Sequence, residues 1–158
     1  MLKQKQLIKH RPDEGIYGDC HRTAIACLLH MKPEDVPNFG EHYTDGYKFV
    51  ESVEAWLATQ GLASVSIAFS PPNMKDVLLT QKSCNPDTYY LLGGESAIGA
   101  GHTVIGCNDE IVWDPSNEEN GIVGPMSDGF YWVTYLVPLI LKRMAGEDSG
   151  LNGSQRCH

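Results

Sequence analysis

Basic residues, long apolar runs and paired cysteines are all scarce in this chain. Lysine and arginine number 12 against 20 aspartates and glutamates, a formal net charge of −8, and the isoelectric point is near 5.1. A surface for nucleic acid or for an anionic membrane needs clustered cations to neutralise phosphate, so neither partner is expected. No segment reaches the roughly 18 apolar residues of a membrane span. The most apolar late stretch, Phe130 to Leu141, is short and is interrupted by Pro138. The first residues, Met1-Leu2-Lys3-Gln4-Lys5-Gln6, lack the apolar core of a secretory signal. The five cysteines, Cys20, Cys27, Cys84, Cys107 and Cys157, are an odd number. Together these features predict free thiols in a reducing cytoplasm rather than a disulfide framework.

What is present is enough for one buried core. A chain of 158 residues with 42% hydrophobic and 9% aromatic content has the size and composition of one ordinary domain. Neither a repeat nor a linker divides it. A polar segment, 1–11, is expected to precede a single domain over 12–141, with a flexible polar tail over 142–158.

Within the domain the patterning predicts helices first and strands afterwards. A first helix is expected from about Cys20 to His30, stopped by Lys32-Pro33, and Ile25-Ala26-Cys27-Leu28-Leu29 leaves it almost no polar side. From Tyr47 to Gln60, Phe49, Val50, Val53, Trp56 and Leu57 recur at helical intervals, with Gly61 as the cap. Leu62 to Phe69 alternates with period two, the mark of a half-buried strand. A short helix over Asn73 to Leu79 and a strand over Asp87 to Leu92 follow. Gly93 to Gly101 is then expected to be a glycine-rich loop. Two strands, His102 to Cys107 and Glu110 to Trp113, read as a hairpin turning at Asn108-Asp109, and Gly129 to Val137 as a final strand. The expected class is α+β, with helices packed on an antiparallel sheet.

Cys20 stands where this layout favours chemistry. It follows the turn Gly18-Asp19 and opens a helix apolar enough to be buried, so it sits at the positive end of the helix dipole among unpaired N–H groups. Those conditions favour a thiolate nucleophile. Such a nucleophile needs a base held by a third group. His102, at the start of a strand, and Asp114, at the end of the returning strand, are the candidates. A loop of Asn108-Asp109-Glu110 sets Val104 opposite Asp114 and leaves His102 and Asp114 as diagonal neighbours on one face. A two-residue loop pairs Thr103 with Asp114 and turns the carboxylate to the other face. A shared site therefore requires an odd loop or a bulge.

The other thiols read as structural. Cys27 lies inside the apolar run, and Cys84 and Cys107 are by default small core hydrophobes, while Cys157 lies in the tail. His10, His30, His42 and His158 read as surface residues. Cys20, His21, Cys27 and His30 cluster in sequence, but two cysteines two helical turns apart do not make a zinc knuckle, so no metal is expected. The Gly93 to Gly101 stretch has no phosphate-loop lysine and precedes a strand, so no nucleotide cofactor is expected either.

Gly-Asp-Cys opening an apolar helix, Gly-His-Thr-Val-Ile starting a strand and Val-Trp-Asp-Pro ending the next resemble, in that order, the motifs of papain-like cysteine peptidases. The nearest branch is the bacteriocin-processing domain of ABC exporters, with small phage and bacterial proteins of similar length, and the resemblance spans roughly residues 12 to 137. It implies a papain-like fold, with Cys20 as nucleophile, His102 as general base and acid, and Asp114 as the group orienting the imidazole. The implied activity is cleavage of an amide, peptide or isopeptide bond in a protein or peptide substrate, through a thioester and without a cofactor. Two positions depart from the pattern: Glu14 stands where the family has a glutamine donor to the oxyanion, and His21 where it has glycine. Loss of one such donor typically costs about 100- to 1,000-fold in rate. The alternative implied by Glu14 and the acidic charge is a binding module that keeps the fold without turnover, such as a phage protein that docks on a host factor.

Overall fold

The computed structural model describes residues 1–118 and 121–141. The expected tail, with Cys157 and His158, lies outside the described residues. The architecture is α+β. Three α-helices, α1 (Cys20–Leu29), α2 (Gly46–Thr59) and α3 (Met74–Cys84), accompany five strands, β1 (Leu62–Phe69), β2 (Tyr89–Glu95), β3 (Gly101–Cys107), β4 (Glu110–Trp113) and β5 (Tyr131–Pro138). The strands form one sheet in the order β1-β5-β2-β3-β4, every neighbouring pair antiparallel.

Burial on both faces of the sheet explains why β2 reads as a run of apolar residues rather than an alternation. Leu91 and Ile105 face α1 and α2 in one cluster, with Ile25, Cys27, Val53 and Leu57. Tyr90, Leu92, Val104, Tyr131 and Val133 face the other way, against Val77 and Leu78 of α3. The sheet is thus the middle of three layers.

The helices begin and end where local chemistry dictates. Thr23 to Cys27 of α1 are all buried, and the helix stops at His30, whose left-handed backbone (φ 57°) lets its N–H bond to Ala26 O. Asp45 caps α2 by accepting from Lys48 N at 3.1 Å, and Asn73 caps α3 through Asp76 N at 3.1 Å. The helix expected to end at Leu79 continues to Cys84, because nothing from Thr80 to Ser83 breaks it and Gln81 is buried, its Oε1 accepting from Tyr135 Oη at 2.5 Å. That extension carries Cys84 to an exposed helix end, correcting its expected place in the core, and Cys107 is only half-buried. Cys27 is fully buried.

The glycine loop also proves shorter than expected. Gly93, Gly94 and Glu95 belong to β2, leaving a turn between Glu95 and Gly101. At Gly94 a Cβ would stand 2.5 Å from Ile122 Cγ2 and 2.7 Å from Gly124 O, so a covering segment, not a loop, requires the glycine. Residues 1–11 lie against the domain: Leu2 N bonds to Cys27 O, Trp113 Nε1 to Gln4 O, and Gln6 N to Pro115 O. No helix among the described residues is long and apolar enough to cross a membrane.

The hairpin carries the detail that matters for the site. Its turn has two residues, with Cys107 opposite Glu110 and Gly106 opposite Ile111, but Ile105 then pairs with Trp113. Val112 is the extra residue of a β-bulge. Continuing that register sets Val104 opposite Asp114, the pairing a shared His102 and Asp114 site requires.

The layering makes a stability prediction. Leu92→Ala is expected to lower the unfolding free energy by about 2 to 5 kcal/mol, because Leu92 is fully buried between the sheet and α3. Val123→Ala, 67% exposed, is expected to change it by no more than about 0.5 kcal/mol. Chemical denaturation of the two variants checks the difference, and equal losses would contradict it.

Candidate active site

Asp19 organises the approach to the helix that carries Cys20. Its carboxylate is buried and accepts from Ile8 N at 2.8 Å, from Leu7 N at 3.4 Å and from Arg22 Nε at 2.8 Å. Arg22 in turn donates to Val36 O at 3.2 Å. The residue before Cys20 is therefore fixed to the N-terminal segment, and the first turn of α1 to the segment after it. Cys20 is the first helical residue, so its own N–H has no acceptor within the helix.

His102 and Asp114 meet as the bulged register requires. His102 Nε2 lies 2.8 Å from Asp114 Oδ1. The same oxygen accepts from Ser116 N at 2.8 Å, and Oδ2 accepts from Gly121 N at 2.9 Å. Asp114 desolvation alone would raise its pKa, but His102 and these two N–H groups hold it down at about 2. Being ionised, Asp114 can only accept, so His102 Nε2 carries a proton. Nδ1 is left for Cys20, whose sulfur acts on the charge of the ring. Burial pushes His102 down, yet the Asp114 carboxylate and the Cys20 sulfur together raise it to about 9. The imidazole, 6% exposed, is thus held in its charged form beside the Asp114 carboxylate at neutral pH.

Of the residues singled out in the sequence, Cys20, His102 and Asp114 come together. Glu14 does not join them. It lies on an exposed 3₁₀ turn, Pro12–Glu14, within an excursion closed by paired hydrogen bonds between Arg11 and Ile16, and it forms an ion pair with Arg11 at 2.8 Å. The expectation that Glu14 occupies the oxyanion position is therefore corrected: the fold-back makes six residues of sequence a poor measure of distance. His21 does line the cavity at Cys20. Its Nδ1 is 3.1 Å from Thr103 Oγ1, its ring meets Phe49 edge-on, and desolvation lowers its pKa to about 4, so it is neutral at pH 7.

Two aromatic residues escaped the sequence reading. His10, expected at the surface, is half-buried, with its Nδ1 accepting from Gly18 N at 3.2 Å. Its ring packs against Tyr17 and Tyr43, which stack with centroids 4.7 Å apart. Tyr43 Oη accepts from Gly101 N at 3.2 Å, pinning the residue before His102. The tight approach of His10 Cβ, 3.1 Å from where a Gly18 Cβ would be, gives Gly18 its reason. His42 is half-buried and His30 exposed.

The residues weighed for a metal do not converge, since Cys27 is in the core and His30 lies at the far end of α1. Among the described residues no three His, Cys, Asp or Glu side chains gather to hold a metal ion. Comparison with protein-family models, curated proteins and solved structures finds no match to this chain.

The electrostatics of the pair dictate a pH response. His102 is raised above its ordinary 6.5, so its protonation stabilises the folded chain below pH 6.5, and that contribution is lost as pH rises through about 9. Asp114 is depressed from 3.8, so its contribution holds above that value and is lost as pH falls towards about 2. Asp114→Asn is expected to bring the His102 titration, followed by NMR of the imidazole, far below 9 and to remove the alkaline decline in melting temperature. An unchanged titration would contradict the assignment.

Proposed function

We propose that the chain is a papain-like cysteine hydrolase that cleaves an amide bond, peptide or isopeptide, through a thioester on Cys20. The single observation that carries this reading is His102 held between Asp114 and the Cys20 sulfur at the N-terminus of a buried helix, facing an open cavity.

In this reading the Cys20 thiolate attacks the amide carbonyl carbon and a C–S bond forms. The oxyanion is stabilised by the Cys20 N–H and the positive end of α1. As the tetrahedral species collapses, the C–N bond breaks and His102 gives its Nδ1 proton to the leaving amine. Neutral His102 then takes a proton from water, which attacks the thioester. The C–S bond breaks, a carboxylic acid leaves, and the thiolate and imidazolium are restored. Asp114 holds the ring in register and stabilises its charge throughout, without taking the proton. With Glu14 elsewhere, catalysis does not depend on that side chain.

The test is release of p-nitroaniline from a panel of acyl and peptidyl p-nitroanilides. Cys20→Ala is expected to reduce turnover to background with its melting temperature retained, and His102→Ala to lower it at least about 100-fold. Activity is expected to fall as pH rises through about 9, where His102 loses the proton the amine needs. Glu14→Gln is expected to change turnover less than twofold. Absence of Cys20-dependent release across the panel would overturn the reading.

A further inference from the structure

The cavity at Cys20, about 850 Å³ in all, continues away from the triad as a groove between α2 and the sheet. Phe49, Val50, Val53 and Leu57 line one wall from α2 at helical intervals. Strand register builds the opposite wall: Gly93 sits beside Trp132, and Leu91 beside Thr134. Gly46 to Glu54, both of which line the groove, spans about 12 Å along the helix axis, roughly the length of ten methylene groups.

Three features describe what this groove accepts. Several of its polar side chains are already engaged, Ser66 Oγ with Thr134 Oγ1 at 2.8 Å, Ser64 with Glu54, and Asp128 with Phe130 N and Trp132 Nε1. The strands beneath it, β5 and β2, are paired on both sides and so offer no free backbone edge. A peptide laid there would bring N–H and C=O groups into an apolar space without partners, at a cost per group, whereas a hydrocarbon chain brings none. Finally, Gly93, next to Thr103 in a central strand, leaves room for the Met126 methyl, which a Cβ there would approach to 3.3 Å, so a flexible apolar side chain lines this end of the groove.

We propose that this groove holds the acyl chain of the substrate, which makes the substrate class N-acyl amides with a straight hydrocarbon chain of about ten carbons. The proposal rests on the hydrolase reading for its chemistry: the amide C–N bond is exchanged for the Cys20 thioester, the amine leaves with the His102 proton, and water releases the fatty acid.

Two measurements test it. The first is Cys20-dependent hydrolysis of p-nitrophenyl esters from acetate to dodecanoate, each below its micellar concentration. Specificity, kcat/KM, is expected to rise roughly threefold per added methylene up to about ten carbons and then level. Val50→Lys, at a position 58% exposed on the groove wall, is expected to cut the decanoate-to-acetate ratio at least tenfold. The second is fluorescence titration with dansyl-undecanoate, which needs no turnover. Binding that is weakened at least tenfold by Val50→Lys supports the groove. Hydrolysis of acetate with no dependence on chain length would overturn the acyl proposal and leave the hydrolase standing. No Cys20-dependent hydrolysis of any ester would overturn the hydrolase, and the dansyl titration alone would then decide the groove, with no binding overturning it.

Discussion

The contact on which the site depends is the hydrogen bond between His102 Nε2 and Asp114 Oδ1. It joins two adjacent strands across a barely solvated space, so nothing from bulk water can replace it. It also exists only because of Val112. In a regular two-residue hairpin Asp114 would emerge on the opposite face of the sheet, and His102 would be a buried imidazole with a single partner. The bulge turns an ordinary strand end into a second face-sharing residue, and the Ser116 and Gly121 amides then complete the carboxylate's shell. Each later property, including the tautomer, the retained charge and the nitrogen left for Cys20, follows from that one change of register.

Cys20 reaches this pair by a different route. α1 packs on β3 through its buried face, which sets the distance between the two elements, while Asp19 and Arg22 fix the rotation and height of its first turn. A buried ion pair of this sort adds little net stability, because desolvation offsets much of the attraction. Its effect here is positional, since it ties the backbone one residue from Cys20 to the N-terminal segment and, through Arg22, to the segment after α1. Tyr43 does the equivalent for the histidine side by gripping Gly101. Cys20 and His102 are thus supported by neighbours in sequence that are themselves bonded to distant parts of the chain.

Much of this was legible in the amino-acid order, for reasons that can be named. The apolar run after Cys20 left no solvated face, so a buried helix with Cys20 at its tip followed from the local pattern. Side-chain alternation was enough to show that His102 and Asp114 share a face only with an odd loop or a bulge, and the bulge is there. Glu14 misled because sequence spacing was taken as spatial spacing, and an eversion at 11–16 removes it from the site. Cys84 misled because cysteine is usually buried, while here a helix without a breaker carries it out to solvent. His10 and Tyr43 were invisible since their roles arise from long-range stacking, for which no local pattern exists. Gly93 and Gly94 read as loop because glycine in a strand is explained only by the segment that covers it, here residues 122–126.

The central claim is that position, rather than accessibility, makes Cys20 reactive. Iodoacetamide at neutral pH, with labelled sites read by peptide mass spectrometry, tests it within one molecule, because Cys20 is half-buried and Cys84 is exposed. The account predicts that Cys20 is alkylated well before Cys84 and that His102→Ala reverses the order. Alkylation of Cys84 first in the unaltered protein would contradict it.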